Sequence, residues 1–337
     1  MVTLSEIAKE AGVSVMTVSN VVNGNLLKVS DATAERIRTI IKERNYVPNA
    51  TARSLVRSSS TIIAIILRGG PEENSLNNPH NAALVGTMIQ RIRARGYYTM
   101  VNIMAGQDDI VNSLRTWNVE GAILMGMFDD EIEAICQVND GPMVFIDSYS
   151  DRRPLSNVGI DDYAGGRLAA TYLLERGHRR IAFVGPPVLH QGVVQHRYTG
   201  FCEALGEYGV RFDEADHFVV DSDVDAPAVI AVAHQIAARH PDLTAAFATS
   251  DQIASYLIRG LHEVGLAVPA DVSIIGFDNA AISTQITPAL TTIAQDLDAK
   301  GTLAVDVLFA RLQDPTAPPQ SQTLGVTLID RSSVRTL

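Results

Sequence analysis

The segment Ala11–Gly24, which reads AGVSVMTVSNVVNG, constrains the fold of this chain more than any other stretch. Just upstream of it, apolar residues recur at i, i+3, i+4 and i+7, the spacing of one helical face. Thr3 and Glu6 have the spacing of a capping box, so this first helix should begin directly after Thr3. Ser14 is a good N-cap for a second helix over residues 15–22. The chain should therefore open with two short helices joined by a three-residue turn.

Two interpretations of this helix pair are open on these residues alone. One is an ordinary helical hairpin; the other is the helix-turn-helix, whose second helix lies in the DNA major groove with its first residues at the base edges. In the second helix we expect Val18 and Val22 to face inward. A third helix is predicted from Asp31 to Arg44, with an apolar stripe formed by Ala34, Ile37, Ile40 and Ile41.

The sequence beyond the third helix decides between the two interpretations. AGVSVMTVSNVVNG, VSDATAERI and NYVPNATARSL follow one another in the order and spacing of the LacI/GalR family of bacterial transcription repressors, which the chain resembles over essentially its whole length. The resemblance implies a dimeric, ligand-responsive repressor that binds a palindromic operator in double-stranded DNA. It predicts that bases are read by Val15, Met16 and Asn20.

The resemblance also predicts which other head residues contact DNA. Phosphate contacts are expected from Thr3, Ser14, Thr17, Ser19, Asn23, Ser30 and Asn49. Residues 47–60 would form a hinge with a short helix that orders only against a partner, and its minor-groove residues would be Ala52, Arg53 and Leu55. Leu55 matches the apolar wedge that kinks DNA towards the major groove; the alternative is that Leu55 contacts the head or the core.

The charge of the chain is distributed unevenly. Residues 1–60 hold eight Lys and Arg against five Asp and Glu, a balance of +3, whereas the whole chain carries −11 and the remainder therefore −14. A modestly basic head on an acidic body suits phosphate contact by the head and repulsion of DNA by the body.

Neither a membrane span nor an export signal is predicted. The longest apolar run, from Ile62 to Leu67, is far shorter than the ~20 residues that a bilayer requires. Charged residues occupy the start of the chain where a signal peptide needs an apolar segment. We therefore expect a cytoplasmic bacterial protein, associated with the nucleoid when bound to DNA. Cys136 and Cys202 are too few for a zinc site or a disulfide framework and are expected to be small buried residues.

From residue 61 onwards, short apolar runs alternate with segments of helical period. This βα alternation predicts parallel sheets covered on both faces, arranged as two doubly wound subdomains with a cleft between them. The resemblance sharpens this to a type I periplasmic-binding-protein-like core behind an all-α, lambda-repressor-like head. The predicted domains are a head of residues 1–46, the hinge, a first subdomain of 61–158 with 293–322, and a second of 159–292 with 323–337.

Polar side chains follow several of the predicted strands, where ligands bind in open α/β sheets. Carboxylates and a guanidinium converging on a cleft suit a hydroxyl-rich effector such as a sugar, polyol or sugar acid. Each residue could instead be a cap or a surface charge. The predicted effector-binding residues are Arg68, Asp147, Arg197, Ser250 and Asp278, of which Asp147, Arg197 and Asp278 match sugar contacts in the family.

Two departures from the family pattern bear on the effector. The usual Asn-Asp appears here as Ser250-Asp251, which removes an amide donor. The usual Asn-Pro-Phe-Phe appears as Asn78-Pro79-His80-Asn81, so the aromatic that often stacks on a ring is missing there. A purine-type effector is therefore disfavoured and an ordinary hexose is in doubt. A regulator whose core senses a partner protein, or no small ligand, remains the alternative.

Other functional classes are disfavoured. The sequence contains no P-loop, no GxGxxG after a strand, no HExxH and no GxSxG, so we expect no enzyme, no cofactor and no metal. A solute-binding protein of transport would share the core but lack the head. The chain ends soon after Leu328, without a C-terminal heptad helix, so we expect a homodimer rather than a tetramer.

Overall fold

The computed structural model describes residues 2–46, 60–69, 74–104, 106–189 and 191–337. The chain separates into two compact units, Met1–Ser60 and Thr61–Leu337. Within the described part of the chain, none of the helices combines the length and apolar character needed to span a bilayer.

In residues 2–46, the first unit contains three α-helices, α1 (Leu4–Ala11), α2 (Val15–Val22) and α3 (Asp31–Glu43). Their N-caps are Thr3, Ser14 and Ser30, each with a side chain that accepts a backbone N–H from the third residue of the first turn. The three helices enclose a small core of Ile7, Ala8, Ala11, Val18, Val21, Ala34, Ile37 and Ile40. As predicted, Val18 and Val22 face this core, with Val22 half-buried, and Val21 is buried as well. The hinge residues Asn49, Ala52, Arg53 and Leu55 lie outside the described residues.

The described residues of the second unit form two six-stranded sheets. The first has the order β11-β5-β4-β3-β1-β2 and is parallel throughout. Its strands are β1 (Ile62–Arg68), β2 (Tyr98–Met104), β3 (Gly121–Met125), β4 (Met143–Ile146), β5 (Asn157–Ile160) and β11 (Ser321–Leu324). The associated helices are α4 (Pro79–Ala94), α5 (Gln107–Thr116), α6 (Asp129–Val138) and α12 (Leu297–Gln313).

The second sheet has the order β12-β10-β9-β8-β6-β7, with only β12 antiparallel to its neighbour. Its strands are β6 (Ile181–Gly185), β7 (His217–Val219), β8 (Ala245–Ala248), β9 (Ser273–Asp278), β10 (Thr291–Ala294) and β12 (Thr327–Ile329). Its helices are α7 (Asp162–Glu175), α8 (Val193–Glu207), α9 (Ala226–Ala237), α10 (Asp251–Glu263) and α11 (Ile282–Gln285). The doubly wound α/β core with two subdomains is thus confirmed.

The chain passes between the two sheets three times, after β5, after β10 and after β11. The predicted boundaries at residues 158, 293 and 322 each fall inside a strand and lie two residues early, because the apolar pattern of a strand does not reveal which sheet it joins. Helix α4 begins at Pro79, since the Asn78 side chain accepts from His80 N–H and Pro79 occupies the first turn.

Candidate functional site

The exposed face of α2 carries the three residues predicted to read bases. Val15 and Met16 are 46% and 69% exposed, and Asn20 is half-buried one turn later. Val18 and Val21 anchor the opposite face of the helix in the core. Two apolar side chains are therefore held in solvent on the first turn, where a thymine methyl group could contact them.

Several head residues that are predicted to contact phosphates also cap helices or form hydrogen bonds within the head. Ser14 Oγ accepts from Thr17 N–H at 3.1 Å and lies 2.9 Å from Thr17 Oγ1, while Asn23 Nδ2 donates to the Ser19 carbonyl at 2.8 Å. Thr3 and Ser30 cap α1 and α3. Capping fixes the helix ends and does not preclude a phosphate contact, because hydroxyl oxygens can also donate.

A cavity of about 290 Å³ lies at the carboxyl ends of the two sheets in the second unit. All five residues predicted to bind the effector line it: Arg68, Asp147, Arg197, Ser250 and Asp278. They come from both sheets, because β1 and β4 end on one side of the cavity and β8 and β9 on the other. The structure thus brings the five residues together.

Arg197 is held rigidly at this cavity. It lies one turn inside α8, which begins at Val193. Its Nε donates to Asp162 Oδ1 at 2.8 Å and its Nη1 to the Thr249 carbonyl at 2.6 Å, and its guanidinium lies 3.6 Å from the Phe277 ring centre. Asp162 is buried, and this desolvation raises the pKa of its carboxyl despite the opposing charge of Arg197.

The aspartates of the cavity are joined by two residues that the sequence interpretation missed. Lys300 Nζ donates to Asp147 Oδ2 at 2.5 Å and to Gln295 Oε1 at 3.0 Å. Gln295 Nε2 in turn donates to Asp278 Oδ1 at 2.7 Å. The only sequence sign of Lys300 was a cation among small and apolar residues of α12, which is equally typical of a solvated helix face.

Ser250 is the N-cap of α10 and accepts from Ile253 N–H at 3.2 Å. The alternative that this residue is a cap is therefore correct, although its side chain also lines the cavity. Asp251, the next residue, does not line the cavity: its carboxylate accepts from Thr292 Oγ1 and from Ala280 N–H.

An aromatic side chain does line the cavity, from an element that was not considered. Phe128 directly precedes α6. The Arg68 guanidinium stacks on the Phe128 ring, 4.7 Å from the ring centre, and Arg68 Nε donates to Glu131 Oε1 at 3.0 Å. The inference against a purine-type effector rested in part on the missing aromatic in the segment Asn78–Asn81, and Phe128 supplies an aromatic ring to the cavity from another element. Phe128 could have been suspected from its position after the buried strand β3.

Asp223 is a further cavity residue that the sequence interpretation missed. It follows β7, lines the cavity, and accepts from Asn78 Nδ2 at 3.2 Å, a contact that joins the two subdomains across the cavity. Burial and then the charge of Asp278 raise the pKa of Asp223 to about 6. Arg68, Arg197 and Lys300 form ion pairs with Glu131, Asp162 and Asp147. The carboxyl groups of Asp223 and Asp278 come in addition to these pairs, so the cavity has more acidic than cationic groups.

Comparison with known proteins agrees with both units. Residues 3–49 match the family model for bacterial regulatory proteins of the lacI family, and residues 170–334 match that for the periplasmic binding protein-like domain. The HTH-type transcriptional repressor PurR of Erwinia tasmaniensis is 32% identical over 99% of this chain and 97% of its own length.

Two solved structures resemble the chain over nearly its full length. The lac repressor dimer bound to operator and the anti-inducer ONPF is 28% identical, covers 99% of both chains and superposes with a TM-score of 0.86. The complex of the transcriptional regulator CelR with cellobiose is also 28% identical, covers 99% of this chain and 100% of the other, and has a TM-score of 0.73.

Proposed function

This chain belongs to the lacI family of bacterial regulatory proteins, and on that premise we propose that it binds a palindromic operator as a homodimer and responds to a neutral sugar or polyol in the core cavity. It is a ligand-responsive DNA-binding repressor and not an enzyme. Its proposed place of action is the cytoplasm, at the nucleoid when operator is bound. The observation that carries the effector proposal is the convergence of Arg197, Asp147 and Asp278 on one cavity.

The first turn of α2 supports a specific mode of operator reading. Exposed Val15 and Met16 can contact thymine methyl groups but cannot form the bidentate bonds that distinguish guanine. Asn20 can pair with an adenine edge through its amide. We place phosphate contacts at Thr3, Ser14, Thr17, Ser19, Asn23, Ser30 and Asn49. In the hinge we place minor-groove contacts at Ala52 and Arg53 and the wedge at Leu55.

Asn20→Ala should relax operator specificity at one position in each half-site. A lost bidentate contact costs about 1 to 3 kcal/mol of discrimination between bases. The measurement is selection of binding sites from a random DNA library, compared with the wild-type consensus. Glu43→Ala, an exposed change in the last turn of α3, is the control and should leave the consensus unchanged. An unaltered consensus for Asn20→Ala would refute the assignment.

The cavity favours a neutral, hydroxyl-rich effector over a sugar acid. Asp147, Asp223 and Asp278 line it, and among the described residues the buried Asp147 Oδ1 has no hydrogen-bond partner. The hydroxyl groups of a ligand can donate hydrogen bonds to these aspartate oxygens, whereas the carboxylate of a sugar acid would be repelled by their negative charge. The CelR structure, which contains cellobiose, offers a parallel for a carbohydrate in this fold.

Thermal-shift screening tests the effector proposal. We expect one or more neutral sugars or polyols to raise the melting temperature by several degrees, because a ligand at 100 times its Kd stabilises the native state by about 2.7 kcal/mol. The matched sugar acids should give little or no shift. Asp278→Asn should weaken the best ligand about tenfold or more, while Asp298→Asn, an exposed change on α12, should not. Silence across the whole panel would instead favour a core that senses a partner protein or no small ligand.

A further inference from the structure

Lys300 is a fully buried cation in a helix that otherwise packs against the first sheet. Its ammonium has two partners, the Asp147 carboxylate and the Gln295 amide oxygen, and the same amide donates to Asp278. We call the four residues Asp147, Lys300, Gln295 and Asp278 the carboxylate bridge.

The carboxylate bridge spans the boundary between the subdomains. Asp147 follows β4 of the first sheet and Asp278 ends β9 of the second. Gln295 lies in the two-residue connection between β10 and α12, where the chain passes from one subdomain to the other. The bridge therefore links both walls of the effector cavity through a segment whose backbone must change when the subdomains rotate.

Both aspartates of the bridge have positive backbone φ angles, 51° for Asp147 and 111° for Asp278. Residues other than glycine adopt such φ angles at a cost of about 1 to 3 kcal/mol, and they keep them only where surrounding contacts hold the backbone in place. The Lys300 and Gln295 contacts supply such constraint, because they fix one oxygen of each carboxylate. The other oxygen of Asp147 is buried and has no hydrogen-bond partner in the part of the chain that the structure describes, so it can accept from a donor group in the cavity.

Stability alone does not account for a lysine at this position. Replacing a buried ion pair by apolar groups of similar size is often neutral or stabilising. A group that donates to Asp147 or Asp278 would instead redistribute charge and hydrogen bonds along the bridge, and so act on the Gln295 connection. We propose that Lys300 is a positioning residue that transmits occupancy of the cavity to the subdomain angle and thereby sets operator affinity. This inference rests on the proposed function, since it concerns the same cavity.

The test uses the full-length protein and an operator selected with the wild type. The double variant Lys300→Met with Asp147→Asn removes both charges and leaves neither unpaired. We expect its operator Kd, measured by fluorescence anisotropy without added ligand, to differ from wild type by fivefold or more, the lower end of typical coupling. Amides of residues 291–297 should exchange with solvent at least about tenfold faster, because the connection loses its constraint. Gln295→Met, which keeps the ion pair, should shift the Kd in the same direction.

The matched control is the double variant Arg180→Met with Asp216→Asn. Asp216 is buried and accepts from Arg180 Nε at 2.7 Å at the amino ends of β6 and β7, the side of the sheet away from the cavity. It also accepts from Arg239 Nη1 at 2.9 Å, and asparagine at position 216 keeps an acceptor oxygen for this half-buried arginine. This control should keep the wild-type operator Kd within twofold. If the carboxylate-bridge variants also stay within twofold, the proposal is overturned while the proposed function stands. If the wild type selects no operator, the proposed function falls and this inference with it.

Discussion

Replacing Gly166 with alanine should destabilise the core by about 3 kcal/mol, at the upper end of typical overpacking costs. Gly166 lies inside α7 where it crosses α8, and a Cβ atom at this position would meet the carbonyl oxygen of Arg197 at 1.9 Å. The flexible end of a side chain could rotate away from the new Cβ atom, but a helix backbone cannot. The helices α7 and α8 must therefore move apart. Because Arg197 belongs to the displaced backbone, the same change should also weaken ligand binding in the cavity.

Urea unfolding followed by far-UV circular dichroism measures this effect. Gly206→Ala is the matched control, since Gly206 lies in α8 and a Cβ atom there meets nothing within 4 Å. It should be neutral or stabilise by up to about 1 kcal/mol, the helix preference of alanine over glycine. Equal stability of the two variants would contradict the close packing of α7 on α8.

Asp251→Asn should remove much of the loss of stability that the wild type shows in alkaline solution. Asp251 is fully buried, and this burial, followed by the charge of Asp278, raises the pKa of its carboxyl to about 8. The native state therefore holds this proton more tightly than the unfolded chain does. The stabilisation is complete below about pH 4, the unfolded pKa of an aspartate, and is lost as the pH rises through 8. The whole shift corresponds to on the order of 5 kcal/mol.

The geometry explains why asparagine should be tolerated at 251. Thr292 Oγ1 donates to Asp251 Oδ1 at 2.5 Å, and Ala280 N–H donates to Oδ2 at 2.7 Å. A hydroxyl oxygen can also accept, so a protonated Asp251 carboxyl can donate to Thr292 Oγ1 in place of this bond while it still accepts from Ala280 N–H. An asparagine amide offers the same donor and acceptor, without a proton to lose. The free energy of unfolding, measured in urea between about pH 5 and pH 9, should fall less for Asp251→Asn than for wild type. Asp298→Asn should retain the wild-type profile; parallel profiles for the wild type and Asp251→Asn would show that Asp251 is ionised throughout.

Much of the fold could be predicted because local signals and tertiary packing agree. Thr3, Ser14 and Ser30 combine a capping side chain with an apolar period behind it, and the structure begins a helix after each of them. The polar residues after the buried strands of the core could be assigned to one cavity, since the carboxyl ends of parallel strands share an edge of their sheet.

The rest depends on contacts that no local pattern contains. Lys300 is 153 positions from Asp147, its ion-pair partner, and a helical lysine is ordinarily solvated. Asp223 and Asn78 are 145 positions apart and meet only because the two subdomains face each other. Phe128 lies in a loop, where no helical or strand periodicity indicates which way a side chain points. Residues that contribute to a site from distant parts of the chain are therefore the ones that local sequence patterns do not predict.

The three connections between the subdomains have a mechanical consequence. Each is very short: Asp161 alone joins β5 to α7, two residues join β10 to α12, and two join β11 to β12. They also lie side by side, since Leu324 pairs with Ile160 in the first sheet and Ala294 with Thr327 in the second. Three short parallel links resist twisting and sliding and leave essentially one axis of rotation. Ligands of different shape would then rotate the two subdomains about the same axis. The range of effectors could therefore change in evolution while the rotation that controls operator binding stayed the same.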